Sequence, residues 1–72
     1  VGKEAVLAVL IEMHEEWMRL HKMRKMYEES NEGDCAEIYA NRAIGLESAM
    51  AILRNSAGIS FEEYLEAAAR AS

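Results

Sequence analysis

Residues 3–31 read KEAVLAVLIEMHEEWMRLHKMRKMYEESN, a run without proline or glycine. Within it Val6, Leu10, Met13, Trp17, Leu20, Arg24 and Tyr27 follow one another at alternating steps of four and three. That is a heptad seam held over three repeats, and it predicts one long helix packed along a single face. Glu15 and Arg19, Arg24 and Glu28, and Lys25 and Glu29 stand four apart, where opposite charges support a helix from outside. At 1.5 Å per residue the helix would be about 43 Å long.

Working outward, residues 30–34 (SNEGD) interrupt the pattern. Gly33 is expected to take the left-handed conformation that ends a helix. Asp34 followed by Glu37 is expected to cap the next one. A second helix is predicted over about 35–56, with a seam of Cys35, Tyr39, Arg42, Leu46, Ala49 and Leu53. Beside that seam runs a row of small residues, Ala36, Ala40 and Ala43, with Gly45 after it. A glycine inside a helix costs about 1 kcal/mol relative to alanine, so close packing is the expected reason for Gly45. Gly58 should end the second helix. Ser60 and Glu63 then form a capping box, with Ile59 and Tyr64 at the positions of a hydrophobic staple. A short third helix is expected over about 61–71, with Phe61, Tyr64, Leu65 and Ala68 on one face.

These elements make residues 1–72 a single all-α domain: a long antiparallel helical hairpin plus a short C-terminal helix. Composition agrees, at 51% hydrophobic and 29% charged residues with no proline; this is too apolar for a disordered segment. A formal net charge of −5 argues against a nucleic-acid partner, whose phosphates call for a cationic surface. The apolar run 5–11 (AVLAVLI) is far shorter than the roughly 20 residues that span a membrane. No membrane partner is expected, and a soluble, cytoplasmic protein is.

A chain of 72 residues buries only about 60% of the surface its unfolded form exposes, so its core needs support. Cys35 is the only cysteine, which excludes an internal disulfide. Association of identical copies remains as the expected staple. The run 5–11 is apolar all round and calls for burial on every side. Val6, Leu7, Leu10, Ile11, Met13, Trp17 and Leu20 are therefore the expected self-interface of a dimer or larger, four-helix-bundle-like assembly.

Candidate chemistry is sparse. His14 is followed four residues later by Met18, and neither His14 nor His21 has glutamate three positions before it. That misses the zinc and di-iron helix patterns, and no metal or other cofactor is expected. Cys35 has no histidine near it in sequence and an acidic neighbour, so an inert thiol is expected rather than a nucleophile. Met13, Met18, Met23 and Met26 around Trp17 form the kind of surface that repacks easily against partners, or plain core. The basic stretch Arg19, Lys22, Arg24 and Lys25 runs into Glu28, Glu29 and Glu32, which neutralise much of it. One polar layer stands out. Folding the hairpin about Gly33 sets Arg24 against Arg42 and Tyr27 against Tyr39. Two arginines in one layer need an anion between them. A carboxylate would serve, or a phosphate-bearing small molecule gripped by arginine forks and tyrosine rings.

The second-helix pattern Tyr39-x-x-Arg42-x-x-Gly45-Leu46-x-x-Ala49-x-x-Ile52-Leu53 resembles small helical-hairpin accessory proteins encoded by phages and prophages. The resemblance covers residues 39–53 and carries over no functional residue. It implies an anti-defence role of the kind such proteins play, through binding a protein or sequestering a nucleotide signal. Small size, apolar excess and the lack of a catalytic constellation make the expected function non-enzymatic: a self-associating module that binds an unidentified protein partner. The alternative is an oligomeric binder of an anionic small ligand such as a nucleotide, through Arg24, Arg42, Tyr27 and Tyr39.

Overall fold

The computed structural model describes residues 2–72. Three helices follow in order, α1 (Lys3–Glu29), α2 (Gly33–Ser56) and α3 (Phe61–Ala71). Among the described residues there is no strand. The α1 and α2 helices lie antiparallel along each other, as three contacts in step show. Tyr27 stacks on Tyr39, Trp17 bonds to Glu47, and Leu10 shares a core cluster with Met50. The molecule extends 43 × 22 × 17 Å.

All seven residues of the predicted α1 seam turn inward, with Leu10 and Leu20 sealed and the other five half-buried. The α2 seam differs from expectation. Its buried line is Ala36, Ala43 and Met50, with Tyr39, Leu46 and Leu53 half-buried, while Arg42 and Ala49 are exposed. At three of six positions the next residue along has taken the inner place, a turn of about 100°. The reason is charge and volume. Burying Arg42 without a counterion would be costly, whereas Ala36 and Ala43 leave room for the bulky α1 side chains. Cys35 is left half-exposed with a free thiol. Gly45 moves to the outside, where an added Cβ would meet nothing within 4 Å. The close packing expected of it is not made within the chain.

The first turn also differs. Asn31, not Gly33, takes the positive φ, at 60°. Its amide bonds to the Glu28 carbonyl at 3.2 Å and the Glu32 amide to the Tyr27 carbonyl at 2.8 Å, the paired bonds of a Schellman ending. Asparagine tolerates this conformation because its short polar side chain can bond locally. Gly33 instead becomes the first residue of α2, whose start has no side-chain cap from Asp34.

The second turn follows expectation. Gly58 has φ +67°, and the Gly58 and Ile59 amides bond back to Asn55 and Arg54 at 3.1 and 3.0 Å. Ser60 Oγ accepts from the Glu63 amide and Glu63 Oε1 from the Ser60 amide, each at 3.1 Å. This turn folds α3 back onto α1, so that Ile59 and Tyr64 join Leu10 and Met50 in the core. Lys3 fixes the same end by pairing with Glu63 at 2.9 Å.

Candidate functional site: an apolar groove among the three helices

The docking of α3 leaves an open groove of about 310 Å³ between it, α1 and α2. Its apolar lining is Leu10, Met50, Ala51, Phe61 and Leu65. Leu10 is fully buried, whereas Phe61 and Leu65 remain 56% and 45% exposed. Aromatic rings form one wall. Tyr64 meets His14 edge-on at 5.7 Å, and His14 stacks on Trp17 at 5.7 Å. His21 continues the series beyond the groove, edge-on to Trp17 at 4.2 Å. Positions 14, 17 and 21 are one turn apart on α1, so helix geometry alone brings these rings together.

Each polar group lining the groove is held by a partner. The Tyr64 hydroxyl and His14 Nδ1 are hydrogen-bonded to each other, and burial pushes the phenol above its ordinary pKa. Trp17 Nε1 donates to Glu47 Oε1 at 2.7 Å. Arg54 donates to the Ile59 carbonyl at 3.0 Å and lies over the Phe61 ring at 5.7 Å. Neither Glu47 nor Arg54 forms an ion pair among the described residues. The lining contains no serine, cysteine or lysine. What it offers is apolar and aromatic surface flanked by one carboxylate and one guanidinium. A second groove of about 300 Å³ shares His14 and Leu65 and adds Ile11, Met18 and Ala68.

The expected Arg/Tyr layer is only partly assembled. Tyr27 and Tyr39 stack at 5.5 Å with an interplanar angle of 15°, and Arg42 covers the outer part of that stack, 5.4 Å from the Tyr39 ring. Arg24 belongs to a different flank. It pairs with Glu28 at 3.4 Å and bonds to His21 Nδ1 at 3.2 Å. Arg42 helps instead to hold the Glu16 carboxylate below its usual pKa, behind the larger effect of the Arg19 hydrogen bond. Residues 16 and 21 lie about 140° apart around α1, so the two guanidiniums do not converge on one point. Arg24 Nε and His21 Nε2 are buried without a hydrogen-bond partner.

Of the expected self-interface residues, Leu10 and Leu20 spend their surface inside the chain. Val6, Leu7, Ile11, Met13 and Trp17 are half-buried and keep some for a partner. Among the described residues no group of three His, Cys, Asp or Glu side chains is placed to hold a metal ion. Among those residues no helix is long and apolar enough to cross a membrane.

Sequence reasoning missed Glu47, Arg54 and the role of Phe61 in the groove. The available signal was the exposed pair Phe61 and Leu65, one turn apart on a helix whose inner face is already supplied by Tyr64, Ala67 and Ala68. Compared with protein families, curated proteins and solved structures, the chain matches no family model, no curated protein and no solved structure.

Proposed function

We propose that this chain is a non-enzymatic, self-associating interaction module whose contact surface is the groove among its three helices. The observation that carries the reading is the amount of large apolar surface left uncovered. Val9, Met18, Phe61 and Leu65 are each roughly half-exposed, and the last two line a groove with an apolar floor. Exposed apolar side chains beside a groove, as Phe61 and Leu65 are, mark interaction sites on small domains. The run 5–11 supports the same reading, because the hairpin and α3 cover it on one side only and Val9 stays 48% exposed. A role as a phage-type accessory or inhibitor protein, working by binding another macromolecule, fits a module of this size and is part of the proposal.

Sedimentation equilibrium from about 1 to about 200 µM, the range of micromolar affinities, tests self-association. A dimer or larger species is expected to become dominant within that range. A folded 8.1 kDa monomer throughout would remove it.

One observation favours a second reading, an anionic-ligand site. The Tyr27–Tyr39 stack carries an exposed arginine, Arg42, over the Tyr39 ring, a surface on which a nucleobase and its phosphate could both be held. Phosphate-bearing ligands would then raise the melting temperature in a dose-dependent way. No shift with nucleotides or inorganic phosphate would exclude it.

A further inference from the structure

Glu47 and Arg54 stand seven residues apart on α2, two turns or about 10.5 Å along the axis and on the same side of the helix. Both line the groove, with Met50 and Ala51 between them. Neither has an ion-pair partner among the described residues, and at that spacing they cannot pair with each other. Each is nevertheless held in place, Glu47 by the Trp17 indole and Arg54 by the Ile59 carbonyl and the Phe61 ring. The groove thus presents two unpaired, oriented charges of opposite sign at the ends of an apolar strip.

The midpoint between positions 47 and 54 falls between Met50 and Ala51. A second copy set face to face on the groove, with a two-fold axis over that midpoint and the two α2 helices running antiparallel, sets Glu47 of each copy opposite Arg54 of the other. In such a contact residue i meets j and j meets i, so one pair of residues supplies two ion pairs. Phe61 and Leu65, exposed on the rim of the groove, are the apolar side chains such a contact would bury.

Resting on the self-association reading above, we propose that the groove is the dimer interface: its occupant is the exposed Phe61 and Leu65 rim of a second copy, held by two reciprocal Glu47–Arg54 bridges. A single chain leaves both charges unpaired and the aromatic strip open to water, and a second copy completes both. Oppositely charged rims also fix the antiparallel register, since a parallel arrangement would set like charges together.

The experiment is a charge exchange read by sedimentation, with circular dichroism as the check on folding. Glu47→Arg and Arg54→Glu should each raise the dimer dissociation constant by about tenfold or more, because each places like charges across the axis. Mixing the two variants should restore association to within about threefold of wild type, since every charge then meets its opposite. The E47R/R54E double variant should dimerise likewise. Arg54 also braces the second turn, so Phe61→Asp serves as an independent variant. Its side chain is half-exposed, and the change should leave helicity intact and abolish dimerisation. A wild-type dimer indifferent to E47R and F61D would overturn this interface while leaving self-association standing. A wild-type monomer at every concentration would overturn both.

Discussion

The two ends of the hairpin are built differently. At the α3 end, Leu10, Met50, Ile59 and Tyr64 form a compact core, and Ile59 and Leu10 are essentially sealed from solvent. Toward the turn end the buried places go to one large residue, Leu20, and to the small Ala36 and Ala43. The other large groups there are a tyrosine stack and a histidine–arginine pair with two unpartnered buried nitrogens. The first end gains from apolar burial. The second carries desolvated donors that cost about 1–3 kcal/mol each when left unmet. Stability should therefore be concentrated at the α3 end, and the groove is cut into that same end. A rigid wall with open apolar surface is what an interface needs, because little order has to be imposed on binding.

Truncation at the core should give the largest effect. Leu10→Ala removes a fully buried side chain that touches the cluster on all three helices, and should lower stability by about 3 kcal/mol in urea unfolding. For a chain of this length that approaches the whole of its stability. A loss under 1 kcal/mol would mean that the α3 end is not the anchor.

The cap on α3 comes next. Ser60→Ala should cost about 1 kcal/mol through the lost bond to the Glu63 amide. Glu63 also carries a pH signature, since Lys3, and then the Ser60 backbone, hold its carboxyl below the usual range. A folded pKa below the unfolded one gives stability that is present above about pH 4.3 and lost as pH falls through the folded value. Glu63→Gln should flatten the acid side of the stability profile. An identical slope in the variant would show that the Lys3–Glu63 pair does not tie the two helices in solution.

At the turn end the sign should reverse. Arg24→Met removes a buried Nε that has no partner and keeps the apolar stem. It should be neutral or stabilising by about 1 kcal/mol, because an unmet donor is removed and the Glu28 pair lost with it is a half-exposed one. A loss of 2 kcal/mol or more would show that Arg24 is fully satisfied and structural. The smallest effect is expected at Gly45, on the outer face of α2. Gly45→Ala should stabilise the chain by about 0.5–1 kcal/mol, since nothing lies within reach of its Cβ. It should leave dimerisation unchanged. Weakened association in this variant would move the interface from the groove to the outer face of α2.

Much of this architecture was legible in the residues. The α1 seam repeats large apolar side chains without interruption, and the Gly58, Ser60 and Glu63 signals have a single local solution, so both were fixed before any tertiary contact. The α2 seam was not. With alanine at 36, 40, 43, 49 and 51, several faces of that helix are equally apolar by pattern. Its rotation was decided by which side chains α1 could accommodate and by the cost of burying Arg42. Asn31 and Gly33 were both able to supply the left-handed residue, and only the length of α1 settled which one did. The groove was illegible because it depends on where α3 lands. Glu47 and Arg54 look like solvated surface until Phe61 and Trp17 are placed beside them.

The central claim is that association covers the α3 end and leaves the turn end unchanged. Amide hydrogen exchange measured at a low and a high protein concentration tests it directly, because protection gained with concentration maps the interface onto the chain. Added protection is expected in residues 47–54 and in α3, with none in residues 27–39. Protection that rises around the Tyr27–Tyr39 stack while 47–54 and α3 stay constant would contradict it.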